Sequence, residues 1–457
     1  MPNFFTHHPS SYRDPSGFIF EKEGILYRQV NISFKENFDL FIQSGLYEHF
    51  VEKNLIISHH QIIENLTGKS NYYTTLKPEK ISFISYPYEW SFDMLKDAAL
   101  LTLKLVREAL DYGMILKDAT PYNIQWHRGK LIFIDTLSFE KFKEEPWIAY
   151  RQFCECFLGP LLVMHYSKMS LHQLQLGWPE GIPLAVIKSL LPKRSRLSLH
   201  TYLHIFLHAR VSASKKNNTI TSTRFSKQKM LNLISSIEIL VKKLSIPSQQ
   251  STWSAYYEEA SQRNDYLEQK KKIIENWINE IPDVKTAIDV GANEGVFSKL
   301  LASKNIETVA ADFDPYCVNN LYNSIKKNSE PNIQPLILDL SAPSPPMGVN
   351  NAERSSFISR TNADLVLALA LIHHLSIGKN IPFEMIAGLF KNINRKYLVI
   401  EFVPKDDEKI KLMLSGKKDI YAEYDEAHFE EAFKKYYVIT HKQIIPGSLR
   451  VLYLMTR

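Results

Sequence analysis

Cysteine is scarce in this sequence, with three residues among 457: Cys154, Cys156 and Cys317. No two of them have the spacing of a zinc site, and three cysteines cannot supply a disulfide framework. We therefore predict no metal site of this kind and a reducing compartment.

Long hydrophobic runs are also missing. The longest ones, residues 158–164 and 363–372, are well short of the roughly 20 residues needed to cross a bilayer. Residues 1–17 contain no apolar stretch flanked by basic residues, so we expect neither a secretory signal nor a membrane span. The expected location is cytoplasmic.

Basic residues outnumber acidic residues only slightly, 55 to 49. A net charge of +6 over 457 residues is too small to predict a nucleic-acid surface.

A chain of this length predicts about two or three domains. Because residues 212–229 are polar and basic, they indicate an exposed linker or loop. We place the domains at residues 1–245 and 250–457.

The second half opens with a strand, a glycine loop and a helix. Thr286–Val290 is a short β-rich run, followed by residues 291–295 (GANEG) and a helical pattern over 296–302. Glycines let a backbone approach a ligand closely, and a helix N-terminus presents free N–H groups. The loop lacks the GxGxxG pattern of pyrophosphate binding, so a dinucleotide is not the predicted ligand.

Carboxylates follow the next two strands. Asp312 comes after the strand pattern 307–311 and lies about 20 residues past the glycine loop, where a carboxylate can accept hydrogen bonds from ribose hydroxyls. Asp339 and Leu340 come after the strand pattern 334–338. A short polar side chain at that place can meet the amino group of an adenine.

The fourth and fifth strand patterns, 363–370 and 396–400, are followed by His373, His374 and Glu401. Ligands of such sheets bind beyond the C-terminal ends of the strands. We therefore expect these three side chains at the mouth of the site and take them as candidate catalytic residues. A histidine of near-neutral pKa could accept a proton there. Packing or a place beside the cofactor is the alternative role for the two histidines.

The last two strand patterns, 437–444 and 450–455, are joined by only residues 445–449. So short a connection cannot carry a helical crossover, so the two strands must pair antiparallel. A mainly parallel sheet closed by such a hairpin resembles the class I S-adenosylmethionine (SAM)-dependent methyltransferases. The resemblance implies an α/β fold, a Rossmann-like seven-stranded sheet with an antiparallel C-terminal hairpin, and an α+β domain precedes it.

This resemblance implies SAM as the cofactor. Asp312 would bind the ribose, and Asp339 with Leu340 would flank the adenine. The methionine end of SAM would be held by the residues of the first strand and its loop: Asp289, Gly291, Asn293 and Gly295.

In the first half, short strands occupy about 90 residues and helices follow. Asp118 and Asn123 form a D-x4-N pattern, and a hairpin turning at residues 128–129 leads to Asp135. This resembles the catalytic loop of protein-kinase-like phosphotransferases, in which the first Asp orients a hydroxyl and the Asn and second Asp hold Mg²⁺. The alternative is that Asp118 and Asn123 only cap local turns.

The first half also departs from the kinase pattern. Leu116 replaces the histidine of the catalytic loop, residues 136–137 are Thr-Leu instead of Phe-Gly, and no glycine-rich loop is visible. Arg28 is the candidate for the strand lysine, and Ser85–Trp90 is the candidate hinge. Arginine is a poor substitute for lysine at a shaped site.

The whole chain resembles a nodulation-protein-like group of bacterial two-part methyltransferases. The segments that carry the resemblance are YPYEWSFDMLKDAALLTL, LKDATPYNIQ, FIDTLSFE, DVGANEGVFS, ALALIHHL and EFVPKDD. It implies methyl transfer from SAM to an unidentified acceptor, which is a sugar, lipid, small molecule or protein positioned by the N-terminal domain. The alternatives are a bifunctional enzyme that also binds ATP and Mg²⁺ and transfers phosphate or nucleotide, and a non-catalytic SAM sensor.

Overall fold

The computed structural model describes residues 5–170, 174–214, 224–246, 265–416 and 418–457. The chain divides into two compact units. The first consists of Met1–Pro247 with Gly348–Arg354, and the second of Ser248–Met347 with Ser355–Arg457. The division falls between the two predicted domains, but residues 348–354 belong to the first unit rather than to the second.

The first unit begins with a five-stranded antiparallel sheet in the order β1-β2-β3-β5-β4. Two helices separate β3 from β4 along the chain. Short pairs β6-β9 and β7-β8 follow, and both are antiparallel. The strands are β1 Thr6–His7, β2 Gly17–Lys22, β3 Ile25–Asn31, β4 His59–Ile62, β5 Tyr72–Pro78, β6 Met114–Leu116, β7 Ile124–His127, β8 Lys130–Phe133 and β9 Phe139–Lys141.

The predicted hairpin turn is present. Arg128 and Gly129 join β7 to β8 with φ of 47° and 79°, the positive values that a tight two-residue hairpin turn requires at both positions. The short 3-10 helices Pro121–Asn123 and Thr136–Ser138 flank this hairpin. Asp118, Asn123 and Asp135 therefore lie on one loop–hairpin–loop segment, as the sequence predicts.

Helices dominate the rest of the first unit. Helix Lys227–Lys243 begins inside the predicted linker, whose residues 215–223 lie outside the described part of the chain. The α-helices are Lys35–Gln43, Leu46–Glu52, Phe92–Asp111, Tyr150–Phe153, Gly159–Ser167, Leu174–Gly177, Leu184–Leu190, Leu199–Thr201, His208–Ser214 and Lys227–Lys243, with π-helical Cys154–Leu158 and Tyr202–Leu207 and further 3-10 helices Ile32–Phe34, Pro87–Glu89, Lys193–Leu197 and Val349–Asn351.

The second unit contains a seven-stranded sheet in the order β12-β11-β10-β13-β14-β16-β15. Neighbouring strands from β12 to β14 pair in parallel, and β16 alone runs antiparallel, between β14 and β15. The predicted seven-stranded sheet with its C-terminal hairpin is confirmed. The strands are β10 Thr286–Val290, β11 Glu307–Asp312, β12 Ile333–Ile337, β13 Ala363–Ala368, β14 Asn394–Phe402, β15 Val438–Ile444 and β16 Val451–Thr456.

Burial explains why these segments are strands. Every residue of β12 and β13 is buried, as expected for parallel strands covered on both faces. Edge strand β15 is largely exposed and carries polar and charged residues. The helices of this unit are Tyr266–Glu280, Val296–Ser303, Pro315–Asn328, Phe357–Arg360, Phe383–Ile393, Glu408–Leu414 and Glu426–Lys434, with π-helical His374–Gly378.

A helix precedes β10, and the sequence pattern over residues 256–280 is helical and rich in lysine and glutamate. The described part is Tyr266–Glu280, and residues 256–264 lie outside the described residues. Its side chains Ile273, Ile274 and Trp277 join a core cluster with the sheet. Across the described ranges, no helix combines the length and apolar character that spanning a membrane requires.

Candidate functional site

A cavity of about 260 Å³ lies in the second unit, where β10 to β13 end. This is the edge at which ligands bind to parallel sheets. Six of the seven predicted cofactor residues line it: Asp289, Gly291, Asn293, Asp312, Asp339 and Leu340.

Asp289, near the end of β10, is 2% exposed. Ser298, from the following helix, donates a 2.6 Å hydrogen bond to its Oδ2 atom. Burial raises the pKa of Asp289 to about 6, and the nearby Asp312 carboxylate adds to the rise. The cavity therefore contains a carboxylate whose charge is poorly compensated by the protein.

Asp312, the last residue of β11, is a second such carboxylate. Its two oxygens accept backbone N–H groups, from Asn293 at 2.8 Å and from Asp314 at 2.9 Å. Burial still raises its pKa to about 6. Asp314 caps the next helix by accepting from the backbone N–H of Tyr316 at 2.9 Å.

The adenine end of the predicted site contains Asp339 and Leu340. Asp339 accepts from the backbone and hydroxyl of Ser341 at 2.8 and 2.6 Å, and Lys379 Nζ lies 3.6 Å from its Oδ2 atom. Phe313 also lines the cavity and is 53% exposed, which offers a ring face to a ligand. Sequence reasoning missed Phe313 and Lys379.

Gly295 is not among the residues that line the cavity, and its contact with the cofactor stays a prediction. Its φ is +78°, and a Cβ atom there would lie 2.6 Å from Leu321 Cδ1. The residue is glycine because helix Pro315–Asn328 packs against it and because its backbone is left-handed. Gly291, with φ of +79°, does line the cavity.

The two histidines occupy different environments. His374 lines the cavity, and burial lowers its pKa to about 4. His373 is 2% exposed and does not line the cavity, and burial lowers its pKa well below the usual value. The prediction that both lie at the mouth of the site is therefore wrong for His373, whose ring packs 4.1 Å from the ring of His374.

Glu401 was also expected at the mouth and is instead fully buried. Tyr266 donates a 2.8 Å hydrogen bond to its carboxylate, Lys270 forms an ion pair with it, and Arg450 Nη1 lies at 3.3 Å. Burial alone would raise the pKa of Glu401, but the charges of Lys270 and Arg450 hold it at about 2. The carboxylate points into this charged cluster rather than into the cavity.

Tyr266 and Lys270 themselves line the cavity, and sequence reasoning missed both. A signal was present in the helical pattern. Tyr266, Lys270, Ile273, Ile274 and Trp277 follow helical spacing and are all buried. A lysine within an apolar stripe needs a charged partner, and Glu401, more than 130 residues away, could not be identified from the sequence alone.

The kinase-like residues of the first unit also lie close together. Asn123 Nδ2 donates to Asp118 at 3.2 Å, and Gln152 donates to the other oxygen of Asp118 at 2.7 Å. Arg28, on β3, pairs with Asp135 at 2.5 Å. Burial raises the pKa of Asp118, and the Asp135 charge adds to this rise. Asp135 also accepts from the backbone N–H of Leu137 and so caps the short helix that follows it.

Ser85, in the predicted hinge, is bound by a side chain of its own unit. Its backbone N–H donates to Gln125 Oε1 at 2.9 Å, and its carbonyl accepts from Gln125 Nε2 at 3.0 Å. Both residues are buried. The backbone groups that a hinge would offer to a ligand at Ser85 are thus already paired.

The sheet order and the cavity at its C-terminal edge define the second unit as a class I SAM-dependent methyltransferase fold. The chain is 32% identical, over 467 aligned positions, to the nodulation protein NoeA of Rhizobium meliloti (strain 1021), covering 98% of this chain and 95% of that protein. The chain belongs to the NoeA family, which spans both units. No protein-family model matches the sequence.

Solved methyltransferase structures resemble part of the chain. Magnesium protoporphyrin IX methyltransferase (ChlM) from Synechocystis PCC 6803, solved with bound SAM, matches 46% of this chain and 86% of its own at 14% identity and a TM-score of 0.30. The bifunctional kinase-methyltransferase WbdD matches 48% of this chain and 45% of its own at 16% identity and a TM-score of 0.30.

Proposed function

We propose that this protein transfers a methyl group from SAM to an acceptor that its first unit positions. The observation that carries the proposal is the convergence of Asp289, Asp312 and Asp339 on one cavity in the second unit. Asp289 is the penultimate residue of β10, Asp312 is the last residue of β11, and Asp339 follows β12 after Leu338. These three strands are neighbours in the sheet and run parallel. SAM would supply an electrophilic methyl group on its sulfonium, and the residues of this chain bind and orient it.

The residues of the cavity fit such a ligand. Asp289 accepts hydrogen bonds from an ammonium, and each oxygen of Asp312 keeps a second acceptor site beside its backbone N–H contact. Phe313 and Leu340 offer apolar surface to an adenine ring. A cation bound here also relieves the cost of the buried charges on Asp289 and Asp312.

The acceptor is a sugar, lipid, small molecule or protein. Of the three candidate catalytic residues, His374 is the one that lines the cavity. The catalytic roles of His373, His374 and Glu401 stay predictions. The proposal places acceptor recognition in the first unit because the NoeA relative matches that unit as well as the methyltransferase fold.

Isothermal titration of the intact protein with SAM tests donor binding. We expect micromolar affinity, and a loss of at least about tenfold in Asp312→Ala because its ribose contact is removed. Asp406→Ala, in an exposed turn outside the cavity, is the matched control. Absence of SAM binding, or equal binding by Asp312→Ala, contradicts the proposal.

Tritiated SAM incubated with fractionated host lysate tests transfer. We expect label in one fraction. Asp118→Asn should reduce this label but leave the SAM affinity unchanged, because Asp118 lies in the first unit, which the proposal assigns to the acceptor and not to SAM. Binding of SAM with no label in any fraction would instead support a non-catalytic sensor. Equal labelling by Asp118→Asn would contradict acceptor positioning through this residue.

A second candidate is phosphate or nucleotide transfer by a kinase-like first unit. It is favoured by the approach of Asn123 to Asp118 within the segment that leads to Asp135. Magnesium fits poorly, however, because Arg28 already neutralises Asp135, and Asn123 and Gln152 already donate to Asp118. Mg²⁺-dependent ATP binding by the purified protein would support this candidate, and its absence would leave the first unit as a binding module.

A further inference from the structure

Glu401 connects two walls of the cofactor cavity without lining it. Tyr266 and Lys270, from helix Tyr266–Glu280, bind its two oxygens. The backbone N–H of Ala370, just beyond β13, donates to Oε2 at 3.0 Å. Ala370 has φ of +50°, an unfavourable value for alanine that this contact helps to maintain. Tyr266, Lys270 and Ala370 all line the cavity.

The buried charges around Glu401 are balanced. Lys270 is 3% exposed and needs a counter-charge to remain buried, which Glu401 supplies. Arg450 bridges Glu401 and Asp407, with its Nε atom 2.8 Å from Asp407 Oδ2. The cluster therefore fixes an ammonium group at the cavity wall.

The position of that ammonium group matches one part of SAM. Among the described residues that line the cavity, the lysines are Lys270 and Lys379. Lys379 pairs with Asp339 at the predicted adenine end. Lys270 Nζ lies 5.3 Å from the ring centroid of Phe297, and the next residue, Ser298, donates a hydrogen bond to Asp289, so Lys270 lies on the same side of the cavity as Asp289. The Lys270 charge accordingly opposes the rise in the pKa of Asp289 that burial causes. One end of the cavity thus offers a carboxylate and an ammonium, which are complementary to an α-amino acid.

We propose that Lys270 binds the carboxylate of the methionine part of SAM while Asp289 binds its ammonium, and that Glu401 is the positioning residue that fixes Lys270. This inference rests on the proposed function, since it assigns a subsite of the same cavity. An ammonium has three N–H donors, so Lys270 is able to bind a ligand carboxylate while paired with Glu401.

Decarboxylated SAM provides the test, because it retains the sulfonium and ammonium groups but lacks the carboxylate. By titration calorimetry we expect the unaltered protein to bind SAM at least about tenfold more tightly than decarboxylated SAM. Lys270→Met should remove this preference by weakening SAM alone. Lys272→Met, on the exposed side of the same helix, is the control and should change neither affinity.

The outcomes separate the subsite from the proposed function. If the unaltered protein binds neither ligand, the proposed function and the inference both fail. If it binds both ligands and Lys270→Met weakens both equally, only the subsite is overturned, because the substitution then acts on the whole cavity.

Glu401→Gln tests the positioning role. We expect it to lower the preference for SAM over decarboxylated SAM, with little further change in the double variant Lys270→Met/Glu401→Gln, because the two residues act as one unit. Tyr266→Phe keeps both charges and should keep the preference. If Glu401→Gln folds and keeps the full preference for SAM over decarboxylated SAM, Glu401 does not position Lys270. If Glu401→Gln does not fold, loss of that preference in Tyr266→Phe overturns the positioning role instead.

Discussion

The backbone N–H of Asn293, in the glycine loop, donates a 2.8 Å hydrogen bond to the carboxylate of Asp312, at the end of the neighbouring strand. Asn293 adopts φ of 51°, which asparagine tolerates better than most residues. This hydrogen bond links the glycine loop to the end of β11. It also leaves Asp312 without a cationic partner among its strongest contacts, although the residue is buried beside Asp289.

The affinity for SAM should therefore depend on pH. Burial raises the pKa of both Asp289 and Asp312 to about 6, so both carboxylates lose charge as the pH falls through 6. Between about pH 7.0 and 5.5 the α-amino group of the ligand stays protonated. We expect a loss of affinity on the order of tenfold over this range, measured by titration calorimetry.

Asp289→Asn is the matched variant for this prediction. It removes one of the two titrating groups, so its affinity should be lower at pH 7.0 and should change less towards pH 5.5. Binding by the unaltered protein that stays constant over this range would show that the charges of the two carboxylates do not contribute to SAM binding.

The seven-stranded sheet with its antiparallel hairpin and six of the residues that line the cavity could be predicted from the sequence, because the carboxylates lie at or just beyond the ends of apolar strand patterns. Glu401 follows the same rule in the sequence but turns inward, because Lys270 and Arg450 pack against it from distant parts of the chain. Gly295 was expected at the cavity but is not among its lining residues, and the contact that requires glycine there is with Leu321 on a later helix. Long-range partners of this kind leave no local pattern.

Gly295→Ala should lower the thermal stability of the protein more than Gly291→Ala does. Both positions have positive φ, which costs about 1–2 kcal/mol for alanine. At Gly295 the new Cβ atom would also lie 2.6 Å from Leu321 Cδ1, whereas at Gly291 the nearest atom is at 3.7 Å. The overpacking adds about 1–3 kcal/mol, which differential scanning calorimetry can detect.

Leu321→Ala in combination with Gly295→Ala provides the control for that comparison. Relief of the clash should make the double variant more stable than the sum of the two single losses predicts. Strictly additive losses would show that backbone strain, and not the contact with Leu321, explains why position 295 requires glycine.

Arg28→Met should destabilise the protein strongly. Arg28 and Asp135 are 11% and 15% exposed and lie 2.5 Å apart, so the substitution leaves a largely buried carboxylate without its cation. Such losses cost about 3–5 kcal/mol. Arg128→Met is the control, because Arg128 is 75% exposed in its pair with Glu79 and should cost under about 1 kcal/mol. Urea unfolding curves that give the two variants equal stability would contradict a structural role for the Arg28–Asp135 pair.

His374 should contribute little as a general base. Burial lowers its pKa to about 4, and the Arg450 charge acts in the same direction, so the ring is neutral throughout the neutral range and only a weak proton acceptor. A positioned general base contributes about 100- to 10,000-fold, whereas we expect His374→Gln to lower kcat by less than about tenfold. The measurement is the rate of label transfer from SAM to the acceptor fraction between about pH 5.5 and 8.5, with exposed His428→Gln as the control. A rate that falls below about pH 6.5 in the unaltered protein, with a break that disappears in His374→Gln, would instead show that His374 accepts the proton.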